Sequence, residues 1–297
     1  MSLSIVILTE DRYENPQKKN WYVNNILKED GLLLNALVEL GFKVNRVSWS
    51  SKTFDWEGVD YAIFRTTWDY FERLDEFFDW VNLYSKKIKF INNFNLIQWN
   101  LDKSYLRDFP KKDVVPSLFL NLGEKTTLQE VFKKTHWKEV IIKPSVSAAA
   151  WNTYRVSKKN LHELEFVFSE LKKKHKMIVQ EFQESVLTNG EVSLVVFGGV
   201  FSHAILKKAK KNDYRVQDDF GGTVSVYNPT PKEVEFSEKI VGLCPEVPLY
   251  ARVDILYNTN KKPLLSELEI IEPELWFRFN PKSATLLAKK IFDFINY

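Results

Sequence analysis

One cysteine, two methionines, four histidines and ten glycines are spread over 297 residues, and these shortages limit the available chemistry. The lone Cys244 excludes an internal disulfide framework and a cysteine-based zinc site, and it fits a reducing, cytoplasmic compartment. His136, His162, His175 and His203 are scattered and complete no Ser-His-Asp arrangement. The first three read as structural or surface residues; His203, which shares a strand with Lys207, is at most a substrate contact. No window approaches the length of a membrane span, and the opening MSLSIVILTED turns acidic too soon for a signal peptide. Charge of one sign is missing too, since 42 basic against 39 acidic side chains leave a net +3. Without a basic stripe, nucleic-acid binding is disfavoured, and the lysine runs 172–174 and 207–211 read as solvated faces, with phosphate contact as the alternative for the second.

Hydrophobic residues make up 44% and charged residues 27%, the balance of a globular protein large enough for two or three lobes. Early in the chain, apolar runs at Ser4–Leu8, Phe42–Val47 and Tyr61–Phe64 alternate with helical spacing over Ile26–Leu40 and around Phe77–Tyr84. This is the pattern of a small open α/β sheet, which binds ligands at the C-terminal ends of its strands. RTTWDY, with Arg65, Trp68 and Tyr70, falls at such an end. Arg65 offers a planar fork suited to a substrate carboxylate, whereas Trp68 and Tyr70 either wall a substrate pocket or pack between domains.

From Trp99 the pattern changes to a helix broken by Pro110, a strand at Ser117–Leu120, a capping-box helix from Thr127 with Glu130, and a strand at Val140–Ile142. Lys143 ends that strand, and a small-residue loop from Ser145 to Ala150 precedes a short strand at Tyr154–Val156. Such a turn could set a point charge and several backbone N–H groups against phosphate, or be a plain hairpin. Met177–Phe182 is an apolar strand that turns polar at Gln180 and Glu181, a shape that suits adenine. Glu191 either accepts from ribose hydroxyls or merely opens the strand pair Ser193–Phe197 and Val200–Leu206. DYRVQ places Arg215 before a turn at Phe220, Gly221 and Gly222, and helices follow over Glu233–Leu243 and Ala284–Ile295.

The most informative stretch runs from Tyr250 to Leu275, two apolar-rich runs joined by Asn258–Lys262, and it predicts a β-hairpin. Alternation puts Arg252 and Asp254 on one face of the first strand and Glu267 and Glu269 on one face of the second. A tight two-residue turn at Asn260 and Lys261 sets Asp254 opposite Glu267 and Arg252 opposite Glu269. Three carboxylates then converge, which suits Mg²⁺ with phosphate oxygens. The plainer alternative is the wet face of an amphipathic strand whose other face, Val253, Ile255, Leu268 and Ile270, is buried.

Taken together, FRTTWDY, WNLDKSYL, KPSVSAAA, SHAILKK, DYRVQDDFGG, ARVD and ELEIIEP resemble the ATP-grasp superfamily. Within it they are similar to the glutathione-synthetase-like branch that contains the cyclo-ligase of cycloserine biosynthesis. The resemblance covers the whole chain and implies an α/β and α+β fold. An N-terminal open α/β (pre-ATP-grasp) domain over residues 1–98 would precede a two-lobed ATP-grasp domain, its N-lobe 99–182 and its C-lobe 183–297. It further implies Lys103 and Lys143 on the α- and β-phosphates, Gln180, Glu181 and Phe182 at the adenine, and Glu191 at the ribose. Asp254, Glu267 and Glu269 would bind two Mg²⁺, for which Mn²⁺ could substitute. Arg252 would face the transferring phosphoryl group, Arg215 the γ-phosphate or acceptor, and Arg65 with Trp68 the substrate.

The implied reaction is ADP-forming ligation of a small carboxylate to an amine through an acyl phosphate, with no nucleic-acid or membrane partner; assembly into a homo-oligomer stays open. Two departures stand out. Glu269 replaces a usual Asn, and the phosphate loop has no glycine at Ala148, Ala149, Ala150 and Trp151. That loop keeps a second reading in play, a non-catalytic nucleotide-binding module, against which the three acids argue.

Overall fold

The computed structural model describes residues 2–148, 150–210, 213–216 and 221–296. Ala149 of the small-residue loop, Lys211 of the second lysine run, Gln217 of DYRVQ and Phe220 of the expected turn lie outside the described residues.

The first sheet is parallel, with β1 (Ser4–Thr9), β2 (Lys43–Ser48), β3 (Tyr61–Thr66) and β4 (Lys89–Ile91) in the order β2-β1-β3-β4. The apolar run of β1 is buried at every residue, as expected of a parallel strand covered on both faces. Helices α1 (Asp11–Glu14), α2 (Trp21–Glu39) and α3 (Leu74–Tyr84) complete this α/β unit. The second helix starts ahead of the expected Ile26 because the Asn20 side chain accepts from the Val23 N–H and caps it there.

Helix α4 (Phe94–Leu101) is capped by Asn93. The helix expected to reach Pro110 stops instead at Leu101, where Asp102 turns extended and its carboxylate accepts from the Ser104 N–H at 2.9 Å. A 3₁₀ turn over Lys103–Asp108 follows. The second sheet is antiparallel, with β5 (Ser117–Leu120), β6 (Glu139–Pro144), β7 (Tyr154–Ser157) and β8 (Met177–Glu181) in the order β5-β8-β6-β7. Helices α5 (Leu128–Thr135) and α6 (Leu161–Lys174) bury Leu128, Val131, Phe132 and Phe168 against it, and α5 has the capping box expected at Thr127 and Glu130.

A short α7 (Ser185–Thr188) leads into the third sheet. Its strands β9 (Glu191–Phe197), β10 (Val200–Lys208), β11 (Thr223–Tyr227), β12 (Tyr250–Tyr257) and β13 (Pro263–Glu269) lie in the order β11-β10-β9-β12-β13, backed by α8 (Pro231–Gly242). The last helix, α9 (Lys282–Asn296), crosses back to pack on α2. Leu287, Ala288 and Ile291 there share a core with Leu33 and Leu37 of α2, and with Val195, Phe197 and Tyr250 of the third sheet. Among the described residues no helix is long and apolar enough to cross a membrane.

Candidate active site

A cavity of about 270 Å³ lies where the three sheets meet, and the carboxylate hairpin forms one of its walls. The register is the expected one, with Arg252 opposite Glu269 and Asp254 opposite Glu267, but it is reached by another route. The turn is not a two-residue one. Asn258 N–H donates to the Lys262 carbonyl, and the Asn258 side chain accepts from the N–H groups of Asn260 and Lys262, so the connection spans residues 258–262. That connection would shift the register by one residue. A bulge offsets the shift: Ile255 pairs with Leu265, and Ser266 is the extra residue before Glu267. Behind the polar face, Val253, Ile255, Leu268 and Ile270 are buried against Phe236, Ile240 and Val241 of α8.

WNLDKSYL is the clamp that brings a lysine to this strand. Asn100 donates to the Leu268 carbonyl at 2.9 Å and accepts from the Ile270 N–H at 3.1 Å, while the Tyr105 hydroxyl bonds both the N–H and the carbonyl of Leu268 at 2.8 Å. At Leu268 and Ile270 the outer edge of the hairpin is thus satisfied by side chains, and at Leu265 by the Val115 backbone N–H. Lys103, between the two clamping residues, lies 3.2 Å from Glu267, and Lys143 at the end of β6 lies 3.6 Å from the same carboxylate. Burial lowers the Lys143 ammonium pKa, with Lys103 adding to the effect and Glu267 opposing it. For Glu267, burial is outweighed by the two lysines, and its pKa falls to about 2.

On the neighbouring strand, Arg252 bonds Asp254 at 2.9 Å and also pairs with Glu269. Asp254 further accepts from Ser193 at 2.5 Å and from Lys207 at 3.2 Å, and Lys207 reaches Glu191 at 2.5 Å. The expected bare convergence of three acids is therefore a lattice of alternating charge, because the buried Lys103, Lys207 and Arg252 and the half-buried Lys143 have entered it. Among the described residues no cluster of three or more His, Cys, Asp or Glu could hold a metal ion. The set is nonetheless short of positive charge at Glu269. Burial raises its pKa to about 8 despite Arg252, and Glu267 and Asp254 add to the rise. Carboxylate oxygens with a local deficit of positive charge fit a hard divalent cation.

At the far end, Gln180, Glu181 and Phe182 line the cavity with Ile141, Val186, Val216 and Leu256, and Phe182 packs with Val186, Val216 and Leu256 in one apolar cluster. Gln180 donates to the Ser117 hydroxyl at 3.1 Å, and Arg155 lies 3.9 Å above the Phe182 ring. The loop after Lys143 brings Ser147, Ala148, Ala150 and Thr153 to the cavity, and the Lys103 ammonium donates to the Ser147 carbonyl. Without glycine, Ala150 and Asn152 themselves take left-handed backbones, at φ 54° and 49°. Trp151 between them packs on Phe71 and His175, with ring centres 5.4 and 5.3 Å apart. Arg215 lines the cavity and bonds Asp213 at 2.8 Å.

Three expectations need correction. Arg65 is 1% exposed and does not line the cavity; it lies 3.7 Å from Glu29 and near the rings of Tyr250 and Phe277. Tyr250 of β12, Phe277 and Glu29 of α2 enclose the Arg65 side chain, which leaves no room for a substrate beside it. Lys207 is not a solvated face but a buried link between Glu191 and Asp254, since the β9–β10 register sets it directly opposite Glu191. His203 does not line the cavity either: its ring bonds the Leu275 carbonyl at 2.8 Å, and burial lowers its pKa to about 4. Trp68 lines the cavity, and its indole N–H bonds the Glu272 carbonyl at 3.0 Å. Sequence reasoning missed Tyr22, Glu272, Glu274 and Trp276, which line the same end. Three of these stand in the segment that follows Glu269 and could have been found by extending the carboxylate strand.

Residues 5–92 match the family of the N-terminal domain of D-cycloserine synthetase DcsG. Over 281 residues the chain is 26% identical to the cycloserine biosynthesis protein DcsG of Streptomyces lavendulae, covering 87% of this chain and 91% of that one. The solved structure of D-cycloserine synthetase DcsG superposes with a TM-score of 0.86 at 22% identity, over 98% of this chain and 99% of that one. The D-alanine–D-alanine ligase from Bacillus anthracis, solved with ATP, gives a TM-score of 0.64 at 12% identity, over 98% and 97% of the two chains.

Proposed function

We propose that this chain, whose fold is that of the ATP-grasp ligases, joins a small carboxylate to an amine with ATP as the energy source, releasing ADP and phosphate through an acyl phosphate. The observation that carries the reading is the lattice around Glu267. Two lysines, an arginine and three strand-face carboxylates converge in one cavity beside an apolar slot. Phosphoryl transfer needs alignment and charge neutralisation more than it needs a protein nucleophile, and these groups supply both.

In this reading the adenine lies against Phe182, Ile141 and Leu256 beside Gln180 and Glu181, and Glu191 meets the ribose. Lys103 and Lys143 hold the α- and β-phosphates. Both already face an anion, Glu267, which an incoming phosphate would partly replace as their partner. Asp254, Glu267 and Glu269 would hold two Mg²⁺, or Mn²⁺ in its place, which when bound would neutralise charge on the transferring phosphoryl group. Arg252 and Arg215 face that group from the protein side, and Trp68 walls the acid substrate. The pinned loop at Trp151 keeps the phosphate end covered without glycine.

Incubation with ATP, Mg²⁺, a panel of small acids and hydroxylamine tests the proposal. A hydroxamate formed from one acid, with ADP released in step, is expected. ATP binding without ADP release across the panel would favour the non-catalytic module.

A further inference from the structure

Most carboxylates that line the cavity are matched by a cation. Asp254 and Glu191 share Lys207, Glu267 has two lysines, Glu269 has Arg252, and Glu274 pairs with Arg278. Glu181 stands half-buried beside Gln183 at the adenine end. Glu272 differs from all of these. It is 7% exposed, its carboxylate meets the neutral Tyr70 hydroxyl, and it forms no ion pair among the described residues. Lys103, the cation that acts on it most, is already held by Glu267 and the Ser147 carbonyl.

A carboxylate withdrawn from water with only a neutral partner either keeps a proton or takes a cationic ligand. Burial raises its pKa to about 7, with Glu267 contributing, while Tyr70 and Lys103 oppose the rise. Charge on Glu272 adds in turn to the raised pKa of Glu269, which is itself held by Arg252. The walls fit a cation of one kind. Trp68, bonded to the Glu272 carbonyl, sits 6.3 Å from the Tyr22 ring, and both rings line the cavity with Tyr70 and Trp276. Aromatic faces beside a single carboxylate suit an ammonium, whereas a bare metal ion would need more oxygens than Glu272 and a phenol provide.

We infer that Glu272, walled by Tyr22, Trp68, Tyr70 and Trp276, seats the ammonium group of the small-molecule substrate and so selects α-amino acids over their hydroxy counterparts. The inference rests on the ligase reading, in which this end of the cavity holds the non-nucleotide substrate.

Calorimetry tests it with D- and L-alanine, D- and L-serine, and the matching lactates and glycerates, on wild type and E272Q with saturating Mg²⁺ and ADP. At least one amino acid should bind the wild type on the order of ten-fold or more tightly than its hydroxy counterpart. E272Q should erase that preference while keeping ADP affinity and melting temperature. Equal binding of amino and hydroxy acids to the wild type overturns the inference without any variant, as does binding of none of the four amino acids. A preference that survives in folded E272Q also overturns it. A wild type that binds no ADP yet prefers the amino acid, with the preference erased in E272Q, would instead overturn the ligase reading and leave the seat in place.

Discussion

Glu267 and Glu269 stand two residues apart on one face of one strand, yet their surroundings drive them in opposite directions. Two lysines from separate elements hold Glu267 ionised, while Glu269 shares one arginine with Asp254 and drifts to about 8. Neighbouring positions on a strand therefore differ less in their own chemistry than in what the rest of the chain delivers to them. At Glu267 the charge balance is complete before any ligand arrives; at Glu269 it is not.

Removing the better-balanced acid should have the largest effect. E267Q is expected to cut ADP-forming turnover on the order of 10²–10³-fold, since it removes a charge from the proposed phosphate site and leaves Lys103 and Lys143 uncompensated. Steady-state ADP release checks this, and turnover near wild type would dissolve the contrast. The same substitution should also lower ligand-free stability, so the carboxylate is not a bystander to folding. Arg65→Ala comes next. Deleting one half of a buried pair leaves Glu29 uncompensated, with an expected loss of about 3–5 kcal/mol in denaturant unfolding. A folded variant of full stability but weakened acid binding would return Arg65 to the substrate.

The contrast also predicts a pH profile. Glu267 lies below its ordinary 4.5, so its stabilisation is present above that value and is lost as pH falls toward about 2. Glu269 lies above 4.5, so the folded protein holds an extra proton there and loses that stability as pH rises from 4.5 through about 8. Unfolding free energy without ligand should therefore decline on both sides of about pH 4.5. Glu272 and Glu10, both raised to about 7, share the upper decline, so E269Q should make only that decline shallower; if it changes both, the two acids are not separate. The smallest expected effect is in the phosphate loop. Ala150→Gly relieves a left-handed alanine and should raise stability by about 0.5–1 kcal/mol, readable in thermal melts.

What could be read from the chain alone follows from the range of each signal. Alternation is local, so the two faces of the hairpin and the buried set Val253, Ile255, Leu268 and Ile270 were legible from residue types. Lys103 and Lys143 were legible from resemblance, but the clamp that aims Lys103 depends on Asn100 and Tyr105 reaching a strand more than 160 residues away. Arg65 misled because a strand end in an open sheet normally meets a ligand, and here Tyr250 of the third sheet, Phe277 and Glu29 enclose the side chain. Lys207 misled because a run of lysines looks solvated until the register sets one of them against Glu191.

The bulge at Ser266 acts like a parity correction. An odd number of residues in the hairpin loop would otherwise turn the acids of β13 into the core and its leucines into the cavity. Because the correction sits in the strand, loop length and the phase of the functional face are set independently. The acids would turn inward only if Ser266 entered the ladder as a paired residue, and as long as Tyr257 and Pro263 close the hairpin and Ser266 stays unpaired, the connection can change length over time without the cavity face being lost.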